Sequence, residues 1–202
     1  MNETKEHIII ESSKLFLRKN FKEVTMQEIV QKTGLSKGAF YHYFTSKEQL
    51  FTEVLTYFFT HVFVHNYEAY SKESFYAFYH DYANAVENIG KRYLDNMKEE
   101  EDSYFNMNYF TLIFDALKLL PDFRETVVSG FKSEIGIWKS VIATARANGE
   151  IKSAMTDEEI ATTFVSLSDG ISMHMIVRGI HITEVKSIFI NLWDKLYDQL
   201  KA

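Results

Sequence analysis

Apolar residues recur along most of this chain at the three- and four-residue spacing of amphipathic helices. In the first such segment, Ile9, Ile10, Leu15 and Phe16 mark one buried face. No segment alternates between apolar and polar residues convincingly enough to predict a β-strand. We therefore predict an all-α protein of about nine helices, whose longer members cover about residues 75–93, 109–120, 123–145, 160–175 and 185–200.

Capping residues between positions 20 and 36 predict where the first helices stop and start. Asn20 tolerates the left-handed conformation that closes a helix, so it is the predicted end of the first one. Thr25 and Glu28 have the spacing of a capping box, in which the N-cap residue and the third helical residue bond reciprocally. Gly34 predicts a turn about two helical turns later, and Ser36 is the predicted N-cap of a second short helix.

The next predicted helix is longer. It begins at a second capping box, formed by Thr45 and Glu48, and runs to about residue 66. His61 and His65 are one helical turn apart within it, a spacing that could bind a metal ion. The sequence signals no third ligand and contains no HExxH motif. We therefore expect solvent-facing or pocket histidines, and no metal or cofactor.

The composition is that of an ordinary globular protein with few helix breakers. The 202 residues are 46% hydrophobic and 25% charged, with one proline, eight glycines and no cysteine. The lack of cysteine excludes disulfides, thiolate catalysis and cysteine zinc sites. There is no apolar run of about 18 residues and no signal-peptide pattern at the N-terminus. We predict a cytoplasmic protein that has no membrane partner.

Charge is distributed unevenly along the chain. Residues 1–50 contain eight lysines and arginines and six acidic residues, a net charge of +2, whereas the remaining residues carry −8. An acidic surface repels nucleic acid. Any contact with DNA is therefore predicted to be confined to the first quarter of the chain.

Two short helices joined by a glycine-containing turn describe a helix-turn-helix. Gly34 supplies the turn, and the apolar residues Ile29, Val30, Leu35 and Phe40 can form the small core that sets the crossing of the two helices. This motif is common in proteins that read DNA, because its second helix can enter the major groove.

The second short helix carries groups suited to DNA. Gly38 costs roughly 1 kcal/mol of helix propensity relative to alanine, which makes sense where a DNA backbone or base edge approaches closely. Lys37 adds a positive charge at the start of the helix, and Tyr41 and His42 offer hydrogen-bond donors one turn along. Lys47, at the start of the following helix, is predicted to hold a second phosphate.

The segment IIIESSKLFLRKNFKEVTMQEIVQKTGLSKGAFYHYFTSKEQL resembles the N-terminal domain of the TetR family of transcriptional regulators. The resemblance covers a contiguous block of about 42 residues, in the order of the family pattern. Val30 stands where the family has a smaller alanine, so the angle between the two short helices is expected to differ slightly. The hallmark residues are Leu15, Phe16, Phe21, Thr25, Ile29, Gly34, Ser36, Gly38, Tyr41, Tyr43, Phe44, Lys47 and Leu50.

The resemblance implies a ligand-responsive, DNA-binding transcriptional regulator, usually a repressor, that binds a palindromic operator as a homodimer. It implies a helix-turn-helix DNA-binding domain over residues 1–46 and a helical ligand-binding and dimerisation domain over residues 47–202. The residues predicted to contact double-stranded DNA are Thr25, Gln27, Ser36, Lys37, Gly38, Ala39, Tyr41, His42 and Lys47.

The larger domain is predicted to hold a small, largely apolar effector and to form the dimer. By the resemblance, effector binding shifts the long helix that starts near Lys47. Aromatic and polar residues predicted to line the ligand site are His65, Phe78, Tyr82, Asn106, Tyr109, Phe110, Phe114 and Trp138. Apolar residues predicted at a two-fold, four-helix interface are Phe164, Leu167, Ile171, Ile188, Leu192 and Leu196.

Two alternatives come from other functional classes. One is an all-α enzyme, but the sequence shows no nucleophile–base pair, metal cluster or phosphate-cradling loop, so catalysis is not predicted. Asp169 beside Gly170 is interpreted as a neighbour of a close helix crossing rather than as a catalytic acid. The other alternative is a helical adaptor that has lost DNA binding, against which the intact Lys37, Tyr41 and Lys47 argue.

Overall fold

The fold is all-α, as predicted. The computed structural model describes residues 2–62, 65–96, 108–181 and 184–201, without the side chains of 62, 93–96 and 108–109. Within these ranges there are nine α-helices and no strand beyond an isolated bridge between Ile151 and Lys201. The helices are α1 (Glu3–Arg18), α2 (Met26–Thr33), α3 (Lys37–Tyr43), α4 (Lys47–Tyr57), α5 (Phe75–Asn96), α6 (Asn108–Leu119), α7 (Phe123–Ala147), α8 (Asp157–Arg178) and α9 (Val185–Asp198).

Hydroxyl side chains start the short helices, with one shift from the prediction. Thr25 accepts a hydrogen bond from the backbone N–H of Glu28 at 3.2 Å, and Ser36 is the N-cap of α3. The prediction that Thr45 caps α4 is wrong by one residue. Ser46 is the N-cap and accepts from the Gln49 N–H at 3.1 Å. The backbone N–H of Thr45 instead donates to the Gln49 side chain at 3.0 Å.

Where a helix ends in the left-handed conformation, the residue is glycine and not asparagine. Gly34, Gly149 and Gly179 have φ values of 68°, 78° and 63°. The prediction that Asn20 closes α1 in this way is wrong, because no non-glycine residue of the described ranges has a positive φ. The C-cap of α1 is Lys19, which is extended with φ −130°.

The helix predicted from residue 45 to about residue 66 is not one regular α-helix. After α4 the backbone continues as a π-helix, Phe58–Val62, which contains His61. His65 lies outside this element, three positions after its last residue. The two histidines therefore do not belong to one helical element, as the metal-binding spacing on a helix would require.

The described chain separates into two compact units, each with its own core. Unit 1 comprises Met1–Val64 and Asn106–Arg124, and unit 2 comprises His65–Phe105 and Glu125–Ala202. This division follows packing. The functional boundary predicted at residue 46 stays a prediction.

Unit 1 is held together by aromatic rings between α1, α4 and the loop after α1. The ring of Phe16 lies 5.0 Å from that of Phe51, and Phe21 lies 4.8 Å from Phe51. All three side chains are buried. The backbone N–H of Phe21 also donates to Asp115 of α6 at 2.9 Å, which ties α6 to the same loop. Burying aromatic side chains in contact is a principal source of stability in a small domain.

Unit 2 has a larger aromatic core that includes both tryptophans of the chain. Trp138 of α7 and Trp193 of α9 are fully buried, with ring centroids 5.7 Å apart. Phe164 of α8 packs 5.8 Å from Trp193 and 4.9 Å from Phe75 of α5. Four helices therefore meet at these rings.

Helix α8 is long and apolar enough to cross a membrane by length and composition alone. It has 22 residues and a mean hydropathy of 1.3 over its most apolar window. Core helices of soluble proteins meet the same criterion. Its apolar residues Phe164 and Ile171 are buried within unit 2, whereas Met173 and Val177 are exposed.

Candidate nucleic-acid interface

The two short helices α2 and α3 form a helix-turn-helix. Gly34 ends α2 in the left-handed conformation, and its N–H donates to the Gln31 carbonyl at 3.3 Å. Only Leu35 then separates it from Ser36, whose hydroxyl accepts from the Ala39 N–H at 3.3 Å. A three-residue connection containing glycine is the geometry that the sequence predicted for this motif.

A small core fixes α3 against the rest of unit 1. Phe40 and Ile29 are fully buried, and Val30 is 8% exposed, so this larger residue fits the buried side of α2. Leu35 is half-buried. The imidazole of His7 donates to the Thr33 carbonyl at 3.1 Å, which links the end of α2 to α1. Packing on its inner side therefore contributes to fixing the orientation of α3.

The outer side of α3 carries the residues predicted to contact DNA. Lys37, Gly38, Ala39 and His42 are exposed, and Tyr41 is 43% exposed despite its large ring. An exposed aromatic hydroxyl next to a lysine and a histidine gives this helix donors at several positions along its length. These side chains can therefore reach a ligand without rearrangement of the fold.

Three other predicted residues have different surroundings. Thr25 and Gln27 are exposed at the start of α2, although the Thr25 hydroxyl is already engaged as the helix cap. Ser36 is likewise exposed and engaged as the cap of α3. A capping hydroxyl oxygen can still donate its proton to a phosphate, because the cap uses it only as an acceptor.

Gly38 has no intramolecular reason to be glycine. Its φ is not in the left-handed region, and a Cβ built on it would meet nothing within 4 Å. Glycine in a helix interior costs about 1 kcal/mol relative to alanine. The absence of a contact partner among the described residues is consistent with a surface that must stay flat for something outside the chain.

Lys47 is held inside unit 1 by its own chain. Its ammonium donates to the carbonyl oxygens of Phe21 at 2.8 Å and Val24 at 2.7 Å, and lies 4.4 Å from the centroid of the Phe21 ring. An ammonium has three donors, so one is left for a phosphate. Lys47 remains a predicted DNA contact, but the structure gives it a structural task that the sequence did not reveal.

The same contacts draw attention to Lys22, which is not among the DNA contacts predicted from the sequence. Lys22 lies between the two residues whose carbonyls Lys47 binds, and its side chain is exposed. Its position just before α2 makes it a further candidate for a phosphate contact. Local sequence offered no signal for it, because an exposed lysine in a loop is common.

The residues predicted to line a ligand site fall into the two units. His65, Phe78, Tyr82 and Trp138 lie together in the core of unit 2. Phe110 and Phe114 belong to unit 1, where Phe114 is 51% exposed. Two more predicted residues cannot be assigned, because Asn106 is outside the described residues and the side chain of Tyr109 is not described.

The predicted dimer residues differ in exposure. Leu192 is 39% exposed, and Leu167, Ile188 and Leu196 are half-buried. Phe164 is fully buried, and its prediction as an interface residue needs correction, since its ring packs in the core of its own chain. Ile171 is also buried, at 9% exposure.

Together, the exposed short helix, its glycine turn and its buried supports define a helix-turn-helix protein. Residues 8–54 match the family model for bacterial regulatory proteins of the tetR family. An uncharacterised HTH-type transcriptional regulator of Bacillus subtilis, YerO, is 50% identical over 58 residues, which are 29% of this chain. Residues 8–54 therefore have the sequence of the N-terminal domain of tetR-family regulators.

Solved structures match nearly the whole chain. A transcriptional regulator from Saccharomonospora viridis, in complex with choline, aligns over 100% of both chains with a TM-score of 0.69 and 14% identity. NalD of Pseudomonas aeruginosa aligns over 98% of this chain and 96% of its own, with a TM-score of 0.66 and 16% identity. At this identity the likeness concerns the fold alone. The match to YerO spans only 20% of that protein.

Proposed function

We propose that this protein is a cytoplasmic transcriptional regulator that binds a palindromic operator as a homodimer and releases it when a small effector binds. The observation that carries the proposal is the outer side of α3. There Lys37, Tyr41 and His42 are exposed, while buried Phe40 fixes the helix. Phosphate contacts would position the protein, and side chains of α3 would read base edges in the major groove.

Exposed apolar side chains support the dimer. Val177 is 72% exposed and Met173 37% exposed on α8, and Leu192 of α9 is 39% exposed. Contiguous exposed apolar surface is typical of protein interfaces. A two-fold interface of α8 and α9 would cover these residues. A palindromic operator would then require two copies of α3 about 34 Å apart, one turn of the DNA helix.

The effector and the repressor role have support from proteins of the same fold. NalD is described as the secondary repressor of a multidrug efflux pump, and the Saccharomonospora viridis regulator was solved in complex with choline. For this chain we propose a small, largely apolar effector bound in unit 2. It can weaken DNA binding only by preferring the conformation that does not bind DNA, an effect of typically 1–3 kcal/mol.

Selection of bound fragments from random-sequence DNA, followed by a mobility-shift assay, tests the DNA-binding part. We expect an enriched sequence with two-fold symmetry. Lys37→Ala should weaken binding to all sequences and lower the slope of log affinity against log salt by about 1. Lys72→Ala is the matched control, because Lys72 is an exposed lysine of unit 2 that pairs with Glu68.

Failure to enrich any sequence would favour the adaptor alternative over the regulator. Equal losses in the Lys37 and Lys72 variants would show that binding follows net charge and not α3. Light scattering at micromolar concentration tests the dimer separately, and Leu192→Glu should produce a monomer whose operator affinity is lost with it.

A further inference from the structure

An acidic group lies among the aromatic rings of unit 2, outside every residue set predicted from the sequence. Glu134 of α7 is half-buried, one helical turn before Trp138. It accepts hydrogen bonds from the hydroxyls of Tyr67 at 2.8 Å and Tyr82 at 3.1 Å. Both hydroxyls bind the same oxygen, Oε1. These bonds leave Oε2 with its lone pairs, and neither partner carries a positive charge.

The two tyrosines remain donors at any physiological pH. Burial, with the nearby negative charge of Glu134 in addition, raises the pKa of Tyr67 and of Tyr82 far above the usual range. Their hydroxyls therefore stay protonated and hold the carboxylate in one orientation. Because both donors are neutral, the hydrogen-bond partners of Glu134 supply no positive charge of their own.

Aromatic faces surround this carboxylate. The ring of His65 stacks on Tyr82 with centroids 4.4 Å apart, and Trp138 lies 5.1 Å from Tyr82 and 5.0 Å from Phe78. Burial, and then the charge of exposed Arg92, lower the pKa of His65 to about 4. His65 is therefore neutral at pH 7 and adds an aromatic wall without a positive charge.

A second carboxylate adds to the negative potential at Glu134. Asp169 of α8 is exposed, yet partial burial of its carboxyl raises its pKa to about 6, and the negative charge of Glu134 adds to the rise. Two interacting carboxylates repel each other, and a cation near both would relieve that repulsion.

Trp138 borders the same tyrosine. Its indole N–H lies beside the Tyr67 hydroxyl without forming a well-aligned hydrogen bond. Burial raises the pKa of Tyr67, and this N–H acts against that rise as a weak donor. The fully buried ring of Trp138 is therefore part of the aromatic surroundings of Glu134.

We infer that Glu134 and the rings of Tyr67, Tyr82 and Trp138 form a binding site for a small organic cation, such as an alkylammonium ion. Aromatic faces and carboxylates together are what such cations require, because the rings attract the charge and cover the alkyl groups. This inference rests on the proposed response to an effector. It narrows the chemical class of that effector from a largely apolar molecule to an apolar molecule with one positive charge.

The test measures binding to the full-length protein without DNA, by calorimetry and tryptophan fluorescence. The probes are tetramethylammonium, tetraethylammonium and benzyltrimethylammonium. The neutral comparison is α,α-dimethylphenethyl alcohol, which is close in shape to the last of these. We expect at least one cation to bind and to change the fluorescence. The neutral alcohol should bind about tenfold more weakly or not at all, because it lacks the charge-assisted contact.

Glu134→Gln is the decisive variant, since the amide oxygen can still accept from Tyr67 and Tyr82. It should weaken cation binding about tenfold or more and leave binding of the alcohol unchanged. Asp169→Asn should weaken cation binding less than Glu134→Gln does. Glu125→Gln is the matched control, an exposed glutamate on the same helix, and should change nothing. Circular dichroism checks that each variant is folded.

Three results would overturn the inference: no binding by any of the cations, equal binding of cation and alcohol, or full cation affinity in Glu134→Gln. The proposed release of the operator by an effector is tested separately from the cation site. If the cation binds through Glu134 but operator affinity stays the same, the site stands and the response is refuted. If no cation binds but another compound releases the operator, the response stands and the cation site is refuted.

Discussion

The two compact units use polar groups in opposite ways. In unit 1 the polar residues Lys37 and Tyr41 lie on an exposed helix, and the side chains of Phe40 and Ile29 are buried behind them. In unit 2 the carboxylate of Glu134 lies among aromatic rings and is held by tyrosine hydroxyls. The first arrangement suits a large polyanion that approaches from outside. The second suits a small molecule that has to be taken out of water.

This difference also explains why the two sites were not equally visible in the sequence. The helix-turn-helix is contiguous, and its caps, glycine turn and apolar spacing all lie between residues 25 and 50. Glu134 reaches partners that are 67 and 52 positions away. A local pattern can predict the former, whereas only the tertiary fold brings the latter together.

The largest effect is expected from removing a core ring of unit 2. Phe164→Ala should lower the free energy of unfolding by about 3–5 kcal/mol, since the ring is fully buried against Phe75 and Trp193. Both tryptophans of the chain lie in unit 2, so tryptophan fluorescence during denaturant unfolding follows this unit specifically.

Leu192→Ala gives the comparison, because Leu192 is exposed and is predicted to lie in the dimer interface. The loss in the free energy of unfolding that Leu192→Ala causes should grow with protein concentration, as expected when the side chain stabilises only the dimer. The cost of Phe164→Ala should not depend on concentration. If Leu192→Ala costs as much as Phe164→Ala at the lowest concentration, the distinction between core and interface is wrong.

A smaller effect is expected in unit 1 from Lys47→Met. This substitution keeps the apolar stem over the Phe21 ring but leaves the carbonyls of Phe21 and Val24 without their partner. Loss of these charge-assisted bonds should cost about 1–3 kcal/mol of stability, measured by hydrogen exchange of unit 1 amides. Lys37→Met should change stability by less than about 0.5 kcal/mol, because Lys37 is exposed. Equal stability of the two variants would refute the structural role of Lys47.

The next effect depends on pH and concerns the start of α5. The carboxylate of Glu150 accepts from the backbone N–H groups of Phe75 and Tyr76 and from the hydroxyls of Ser74 and Tyr197. Burial alone would raise its pKa, but these hydrogen bonds outweigh burial and lower it. Because the pKa is lower in the folded protein, its stabilisation is present above the unfolded value of 4.5 and is lost as the pH falls through the folded value.

Glu150→Gln should therefore cost about 1 kcal/mol near neutral pH, as the loss of a charged helix cap typically does. The difference in melting temperature from the wild type should shrink as the solution is acidified below the unfolded pKa. Glu158→Gln is the control, because Glu158 is exposed and pairs only with Lys139 in the described part of the chain. If the difference in melting temperature between the wild type and Glu150→Gln grows on acidification, the stabilising role of the Glu150 carboxylate is contradicted.

The sequence predicted the helices well because their spacing and breakers are local, and it failed where a choice depended on contacts. Asn20 was predicted to end α1 in the left-handed conformation, but its side chain instead accepts from the Glu23 N–H at 3.1 Å in the following loop. Phe164 was assigned to the dimer interface because an apolar face of a helix does not reveal its partner. The aromatic ring of Phe164 fits the core of its own chain equally well by pattern.

The smallest effect on stability is expected from replacing one exposed glycine in each unit by alanine. Gly38 and Gly136 both lie inside helices, and a Cβ on either would meet nothing within 4 Å. Replacement by alanine should therefore stabilise each helix by up to about 1 kcal/mol, because alanine loses less backbone entropy on folding. Gly136 lies in α7 of unit 2, whereas Gly38 lies on the side of α3 that is proposed to face DNA.

Gly136→Ala should thus raise the melting temperature and leave operator affinity unchanged. Gly38→Ala should raise the melting temperature by a similar amount and yet weaken operator binding, because the added methyl group stands where a base edge or the DNA backbone approaches. Circular dichroism follows both units, and a mobility-shift titration measures affinity. If Gly38→Ala leaves operator affinity unchanged, DNA does not approach this position closely. The structure would then give no reason for a glycine at position 38.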